Sequence, residues 1–368
     1  MSKSERWVIK IGSALMTANG QGLALPAIAG WAAQMAGLRT QSVELVVVSS
    51  GSIAAGISRL GWQGRPREIH KLQAAAAVGQ MGLVQAWESH FQAFDLHTAQ
   101  VLLVNDDVAN RERYLNARKT LNALLAYGVI PIVNENDTVA TEEICVGDND
   151  NLAALVANLI YADRLLILTD QQGLFDQDPR ANPQAKLIQQ GKAGDATLQS
   201  MAGASPGHLG RGGMITKLRA AQRAAQSGTD TYIVHGGEEE VLTRLAAGEQ
   251  IGTRLTAARK PAAARKQWIA AQLQIKGTLH LDAGASQVIQ SAGRSLLPVG
   301  VVGVQGNFQR GDVVSCVGPE GVELARGLTN YAADDARKIM GLASDGIVAV
   351  LETPGDAELI HRDNLVLL

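Results

Sequence analysis

Val43-Glu44-Leu45-Val46-Val47-Val48-Ser49-Ser50-Gly51-Ser52-Ile53-Ala54-Ala55-Gly56 changes character halfway along. Its first half is a β-branched apolar run with the length of a buried strand. Its second half, after the serine and glycine turn, reads as the start of a helix. A strand, a tight turn and a helix make half of a βαβ unit, and the same alternation fills the first two thirds of the chain. Further strands are predicted at Trp7 to Ile11, Gln100 to Val104, Val129 to Asn134, Arg164 to Thr169 and Thr231 to His235. Helices are predicted from Pro26 onward, where a first helical turn does not miss its N–H, and over 67–94, 112–127, 149–161 and 214–227. Strands this hydrophobic need cover on both faces, so the expectation is α/β: a mainly parallel open sheet between two helical layers.

The pattern changes at Thr256 to Lys266, a basic, Ala-rich stretch interrupted by Pro261. After Trp268 come short alternating runs broken by glycine, namely Leu273 to Ile275, Gly300 to Val304, Asp312 to Val317 and Ile347 to Leu351, with one helix near Ala332 to Met340. These read as a small β-rich domain. The expected division is 1–258 for the α/β domain, 259–268 for a linker and 269–368 for the small domain. A chain of 368 residues has room for such a pair at about 100 to 200 residues per domain.

Composition narrows the function classes. Aromatics make up only 4% of the chain, a poor start for a platform that stacks nucleic-acid bases. The net charge of -2 gives no general attraction to nucleic acid or anionic lipid. Cys145 and Cys316 lie far apart and outside any Cys/His cluster, which argues against a disulfide framework or structural zinc and for a reducing, cytoplasmic setting. The polar N-terminus, with Lys10 cutting the first apolar run, does not read as a signal peptide, and no apolar run is long enough to span a bilayer. A soluble protein is expected.

Several polar or glycine-rich segments fall after predicted strands or before predicted helices, on the edge where open α/β sheets bind ligands. Lys10-Ile11-Gly12-Ser13 ends the first strand, and Ser49 to Gly56 offers N–H groups and hydroxyls to an anion. Gly51 and Gly56 have P-loop spacing, but Ile57 and Ser58 stand where Lys and Ser/Thr are required. Asn134-Glu135-Asn136-Asp137 and Gly147-Asp148-Asn149-Asp150-Asn151 suit a polar zwitterion: Asp137 can pair with an ammonium, and Asn149 can donate or accept. The second cluster lacks calcium-loop spacing and the closing glutamate. Thr169-Asp170 ends another strand, and Gly210-Arg211-Gly212-Gly213-Met214-Ile215-Thr216-Lys217 opens a helix with N–H groups and a lysine suited to phosphate oxygens, although the GxGxxG fingerprint fails at Ile215. His70, His90, His97 and His208 have no ligand spacing and read as structural. The inventory suits phosphoryl transfer, where the protein positions reactants and neutralises charge. It holds no obvious general base, and a carboxylate acceptor needs none.

In this order the motifs resemble the glutamate 5-kinase family of amino-acid kinases over nearly the whole chain. They are Lys10-Ile11-Gly12-Ser13, Ser49-Ser50-Gly51, Asn134 to Asp137, Val146 to Asp150, Leu168-Thr169-Asp170, Asp178-Pro179-Arg180 and Gly212-Gly213-Met214 with Lys217. The C-terminal part resembles a PUA domain. The resemblance implies ATP-dependent phosphorylation of the L-glutamate side-chain carboxylate, giving L-glutamyl 5-phosphate and ADP, with feedback inhibition by proline and a homo-oligomeric enzyme. It implies that Lys10 and Lys217 bridge the transferring phosphoryl group while Asp150 holds them, and that Ser50, Gly51, Asp137 and Asn149 bind glutamate. Lys10, Thr169, Asp170, Arg211, Gly212, Gly213, Met214, Ile215, Thr216 and Lys217 would bind ATP, with Mg2+ carried mainly by the nucleotide phosphates and no metal site in the protein itself. Two departures are Ala14, where relatives often carry a hydroxyl, and Arg211, where a small threonine is common.

Carbamate, acetylglutamate and uridylate kinases are rivals within the class. The cluster ending in Asp137 argues for a free amino acid, since an acylated amine has no positive charge to pair. An RNA-binding role for the PUA-like tail is the rival from another class. Residues 267–368 hold seven Lys and Arg against eleven Asp and Glu, a balance of -4 that leaves about +2 on the rest and argues against RNA phosphate contacts.

Overall fold

The computed structural model describes residues 4–17, 22–104, 111–139, 149–203, 213–258, 275–292, 294–352 and 355–368. The chain divides into two compact units, Met1–Ala262 and Ala263–Leu368. The linker expected at 259–268 lies outside the described residues.

In the first unit the described elements are β1 (Arg6–Ile11), α1 (Ser13–Met16), α2 (Leu25–Thr40), β2 (Glu44–Ser49), α3 (Ser52–Arg59), α4 (Ile69–Gln92), β3 (Thr98–Leu103), α5 (Arg111–Ala126), β4 (Ile130–Glu135), α6 (Asn149–Ile160), β5 (Arg164–Thr169), β6 (Gln190–Lys192), α7 (Ala196–Gly203), α8 (Met214–Ala225), β7 (Asp230–His235), α9 (Val241–Ala246) and β8 (Thr253–Thr256). The six predicted strands are all present within about two residues at each end. The eight strands form one sheet in the order β3-β4-β2-β1-β5-β7-β8-β6. Every pairing is parallel except β7 with β8, so β1 to β5 and β7 end on one edge.

Alternation along the central strands sends their side chains to two cores. Trp7, Ile9, Ile11, Leu45, Val47, Leu166, Leu168 and Val234 pack against α2, α4 and α9 through Trp31, Met35, Trp87, Phe91 and Leu242. Val8, Val46, Val48, Leu165, Ile167 and Ile233 pack on the opposite face against α5, α6 and α8 through Leu121, Val156, Ile160, Leu218 and Ala221. The central strands are therefore apolar on both sides, which is why their sequences read as continuous runs rather than alternations.

The second unit holds β9 (Gly277–Leu281), α10 (Ala283–Ala292), β10 (Val301–Gly306), β11 (Val313–Val317), β12 (Glu323–Leu328), α11 (Ala333–Ile339), α12 (Ile347–Leu351) and β13 (Leu365–Leu367), with its own sheet in the order β10-β9-β11-β12-β13. Its core gathers Leu279, Leu281, Phe308, Val314, Cys316, Ala325, Ala336 and Ile360. Burial pushes the unpaired Cys316 thiol up to about 12, which makes it an inert packing group. One expectation is corrected: Ile347 to Leu351 is a helical turn, not a strand. Its β-branched residues gave an extended pattern, but Ile347 and Leu351 also have i, i+4 spacing, and both meet the core on one face while Val348 and Val350 stay exposed. The expected strand at Leu273 to Ile275 falls mostly outside the described residues.

Candidate active site

Lys10 is the last residue but one of β1, and alternation turns it to the face covered by α6 and α8. Asp150 lies in the first turn of α6 and Lys217 in the first turn of α8. The fold converges these three. Lys10 Nζ is 2.6 Å from Asp150 Oδ1, and Lys217 Nζ is 3.2 Å from Asp150 Oδ2. Thr216 Oγ1 donates to the same Oδ2 at 2.7 Å. All three charged groups are buried, at 6%, 2% and 5% exposure.

One carboxylate thus holds two ammoniums. Burial alone would raise the Asp150 carboxyl, but the charges of Lys10 and Lys217 outweigh it and hold the group at about 2. Burial pushes the Lys217 ammonium down, with Lys10 adding to it and Asp150 opposing. The three groups together carry one net positive charge in a place with little water. Such a charge is costly unless an anion joins it.

On one side of this cluster, toward β2 and β4, lies a network of amides and hydroxyls. Asn149 Nδ2 donates to Ser50 Oγ at 2.9 Å and to Asn134 Oδ1 at 3.0 Å. Asn134 Nδ2 in turn donates to Gln80 Oε1 at 2.8 Å and Ser52 Oγ at 3.2 Å, and Ser52 Oγ donates to Asp137 Oδ2 at 3.2 Å. Ser50, Asp137 and Asn149 are therefore joined through one hydrogen-bond network. Burial raises the Asp137 carboxyl to about 6, against the Ser52 hydrogen bond and the charge of Arg65. Two buried atoms of the network, Asn149 Oδ1 and Gln80 Nε2, have no partner among the described residues.

Backbone geometry sets this half of the site. Gly51 sits at the start of α3 with φ of 111°, a left-handed conformation that a side chain would strain. The helices α3 and α4 touch backbone to backbone: a Cβ on Gly79 would lie 1.8 Å from Ser52 O, and one on Gly56 would lie 1.7 Å from Ala75 O. That approach lets Gln80 on α4 and Ser52 on α3 reach Asn134 together. In the sequence Asn134 belongs to a polar cluster and Ser52 to an anion-receiving serine and glycine turn, but neither has an individual role there, and Gln80 is not singled out. Asn134 could have been found from its place at a strand end. Gln80 carries no such signal, since it lies inside an Ala-rich helix.

On the other side, toward β5 and β7, Thr169 ends β5 and its Oγ1 donates to Asp170 Oδ1 at 3.0 Å. Gly213 caps α8 in an extended conformation, with Met214 and Ile215 half-buried behind it. Arg211 and Gly212 lie outside the described residues, as do Asp148 and the rest of 140–148. Among the described residues no three His, Cys, Asp or Glu side chains gather as a metal cluster.

A parallel sheet flanked by helices on both faces, with two lysines bound to one carboxylate at its strand-end edge, is an architecture for handling phosphate. The model of the amino acid kinase family matches residues 5–235, and that of the PUA domain matches residues 277–351. The chain is 61% identical to a glutamate 5-kinase from Thioalkalivibrio sulfidiphilus over 368 residues, covering all of this chain and 98% of that protein. It is 59% identical to a glutamate 5-kinase from Pseudomonas putida (strain W619), covering 99% of this chain and 98% of the relative, and 58% identical to one from Stutzerimonas stutzeri, covering 100% and 99%. The chain therefore belongs to the amino acid kinase family and, within it, to the glutamate 5-kinases. It is a kinase. No described helix is long and apolar enough to cross a membrane.

Proposed function

We propose that this kinase transfers the γ-phosphoryl group of ATP to the side-chain carboxylate of L-glutamate, forming L-glutamyl 5-phosphate and ADP at the entry to proline biosynthesis. The observation that carries this reading is the buried Lys10–Asp150–Lys217 cluster, with its single net positive charge, between an amide and hydroxyl network and the Thr169 edge. A carboxylate oxygen of glutamate, already ionised at neutral pH, attacks the γ-phosphorus in line, the bond to the β-phosphate oxygen breaks, and the electron pair leaves with ADP. Lys10 and Lys217 neutralise charge on the transferring group, and Asp150 fixes their spacing. Ser50, Gly51, Asp137 and Asn149 bind glutamate, with Asp137 facing its ammonium. Lys10, Thr169, Asp170, the segment Arg211 to Thr216 and Lys217 hold the nucleotide. Magnesium enters on the nucleotide phosphates, supplying further charge neutralisation when bound. Residues 1–258 form the kinase domain, 259–268 the linker and 269–368 the PUA domain. Proline inhibits by acting at or near the glutamate site, and the working enzyme is a cytoplasmic homo-oligomer.

The test is direct. Purified protein with ATP, magnesium and L-glutamate should form an acyl phosphate that hydroxylamine traps as the γ-hydroxamate. Formation of a hydroxamate only with N-acetylglutamate or another acid would refute the substrate assignment.

The Asp137 carboxyl adds a pH expectation. Its folded value of about 6 means that the carboxylate is present above that pH and protonated below it. Pairing with an ammonium requires the carboxylate, so kcat/KM for glutamate should fall about tenfold per pH unit below about 6. The Asp137→Asn variant should be weaker at neutral pH and lack that inflection. A wild-type profile flat from pH 7 to 5 would remove Asp137 from ammonium recognition.

A further inference from the structure

His235 ends β7, and it belongs to no role assigned above. Along β7, Ile233 faces the core beneath α6 and α8, so alternation turns His235 to the same face as Lys10 and Thr169. The strand register pairs Thr169 directly with His235. The turn that follows is pinned on both sides: Gly236 N–H donates to Thr169 O at 2.9 Å, and the Trp31 indole N–H donates to Gly236 O at 2.9 Å. The half-buried imidazole is thereby held beside Thr169 on the ligand-binding edge.

Its chemistry is also fixed. Gly237 N–H donates to His235 Nδ1 at 3.1 Å, so Nδ1 carries a lone pair and the ring proton sits on Nε2. A Cβ on Gly237 would lie 2.8 Å from His235 Cε1, so the ring rests against that backbone. Nε2–H is then an oriented donor with no partner among the described residues. Two strand spacings, about 10 Å, separate β7 from β1 and Lys10. That is too far for His235 to touch the phosphoryl group that Lys10 holds, and it matches the other end of a nucleotide whose phosphates lie between.

We propose that His235 is a nucleotide-binding residue whose Nε2–H donates to an acceptor on the nucleoside, a ribose oxygen or a ring nitrogen. The proposal rests on the kinase reading above. His235→Ala should raise the Kd for ADP and the KM for ATP about tenfold, the worth of one such hydrogen bond, and leave the KM for glutamate within about twofold. Inhibition by inorganic tripolyphosphate, which has no nucleoside, should be unchanged. His235→Gln, whose side-chain amide can offer an N–H in a similar place, should recover most of the loss. Unchanged ADP affinity in His235→Ala, an equal loss for tripolyphosphate, or a glutamine variant no better than alanine overturns the proposal. Normal ADP binding by both wild type and His235→Ala refutes this role alone; failure of the wild-type protein to bind ADP refutes the kinase reading with it.

Discussion

Asp150→Asn will reduce kcat by about a thousandfold and leave the protein measurably less stable, the largest loss expected from any single isosteric change in the site. The substitution keeps shape and removes charge, so its effect isolates what the carboxylate does. With it gone, Lys10 and Lys217 become two buried ammoniums without their counter-charge. Breaking a buried ion pair in this way costs about 3–5 kcal/mol, and the lysines would move apart or release a proton rather than bear it. Either response removes the paired cations from the phosphoryl group. The pH dependence gives an independent check. The carboxyl is held at about 2 in the folded protein against an ordinary value of 3.8, so its contribution is complete above pH 4 and lost as pH falls toward 2. Urea unfolding of the wild type should therefore show a loss of about 2 kcal/mol across that window that the variant does not share. Near-normal turnover in a folded Asp150→Asn protein would mean that the carboxylate does not set the lysine positions.

Lys217→Ala should lower kcat by about a hundredfold to a thousandfold while the KM for glutamate changes less than about threefold. The asymmetry follows from position. Lys217 sits at the start of α8, on the side of Asp150 proposed above for the nucleotide, whereas the amide network proposed for the acceptor runs through Ser50, Asn134 and Asn149. A cation that acts on charge developing in the transition state affects turnover, not ground-state acceptor binding. The alanine variant leaves Asp150 paired with Lys10, so the fold should survive where Asp150→Asn is strained. Steady-state kinetics with each substrate varied separates the two parameters. An unchanged kcat would remove Lys217 from catalysis, and a rise in KM for glutamate alone would move it to the acceptor half.

Much of this site was legible at the level of segments. Runs such as Arg164 to Thr169 and Thr231 to His235 read as buried strands, and parallel strands order their C-terminal ends along one edge. Local pattern alone therefore places Lys10, Ser50, Asp137, Asn149, Thr169 and Lys217 on that edge. Individual partners were less legible. Asp150 in the first turn of α6 reads equally well as a residue complementing the helix dipole, and local sequence does not separate that role from an ion pair with lysines on β1 and α8. Gln80 carries no local signal, and Ser52 reads only as part of an anion-receiving turn, because their meeting at Asn134 depends on how closely α3 and α4 cross. The turn at Ile347 to Leu351 has a strand-like sequence because β-branched residues favour strands locally, and burial of Ile347 and Leu351 on one face overrides that preference.

The sequence by itself determined which segments become strands, which edge of the sheet gathers the polar and glycine-rich segments, and which kinds of side chain arrive there. Those properties follow from local periodicity and from the direction of parallel strands, which are written residue by residue. The tertiary structure alone decided that one carboxylate serves two lysines, that Gly56 and Gly79 bring Gln80 within reach of Asn134, and that His235 stands beside Thr169 with its proton on Nε2. Such pairings join elements distant in the chain, and their separations are fixed to fractions of an ångström by close packing, which no local pattern encodes.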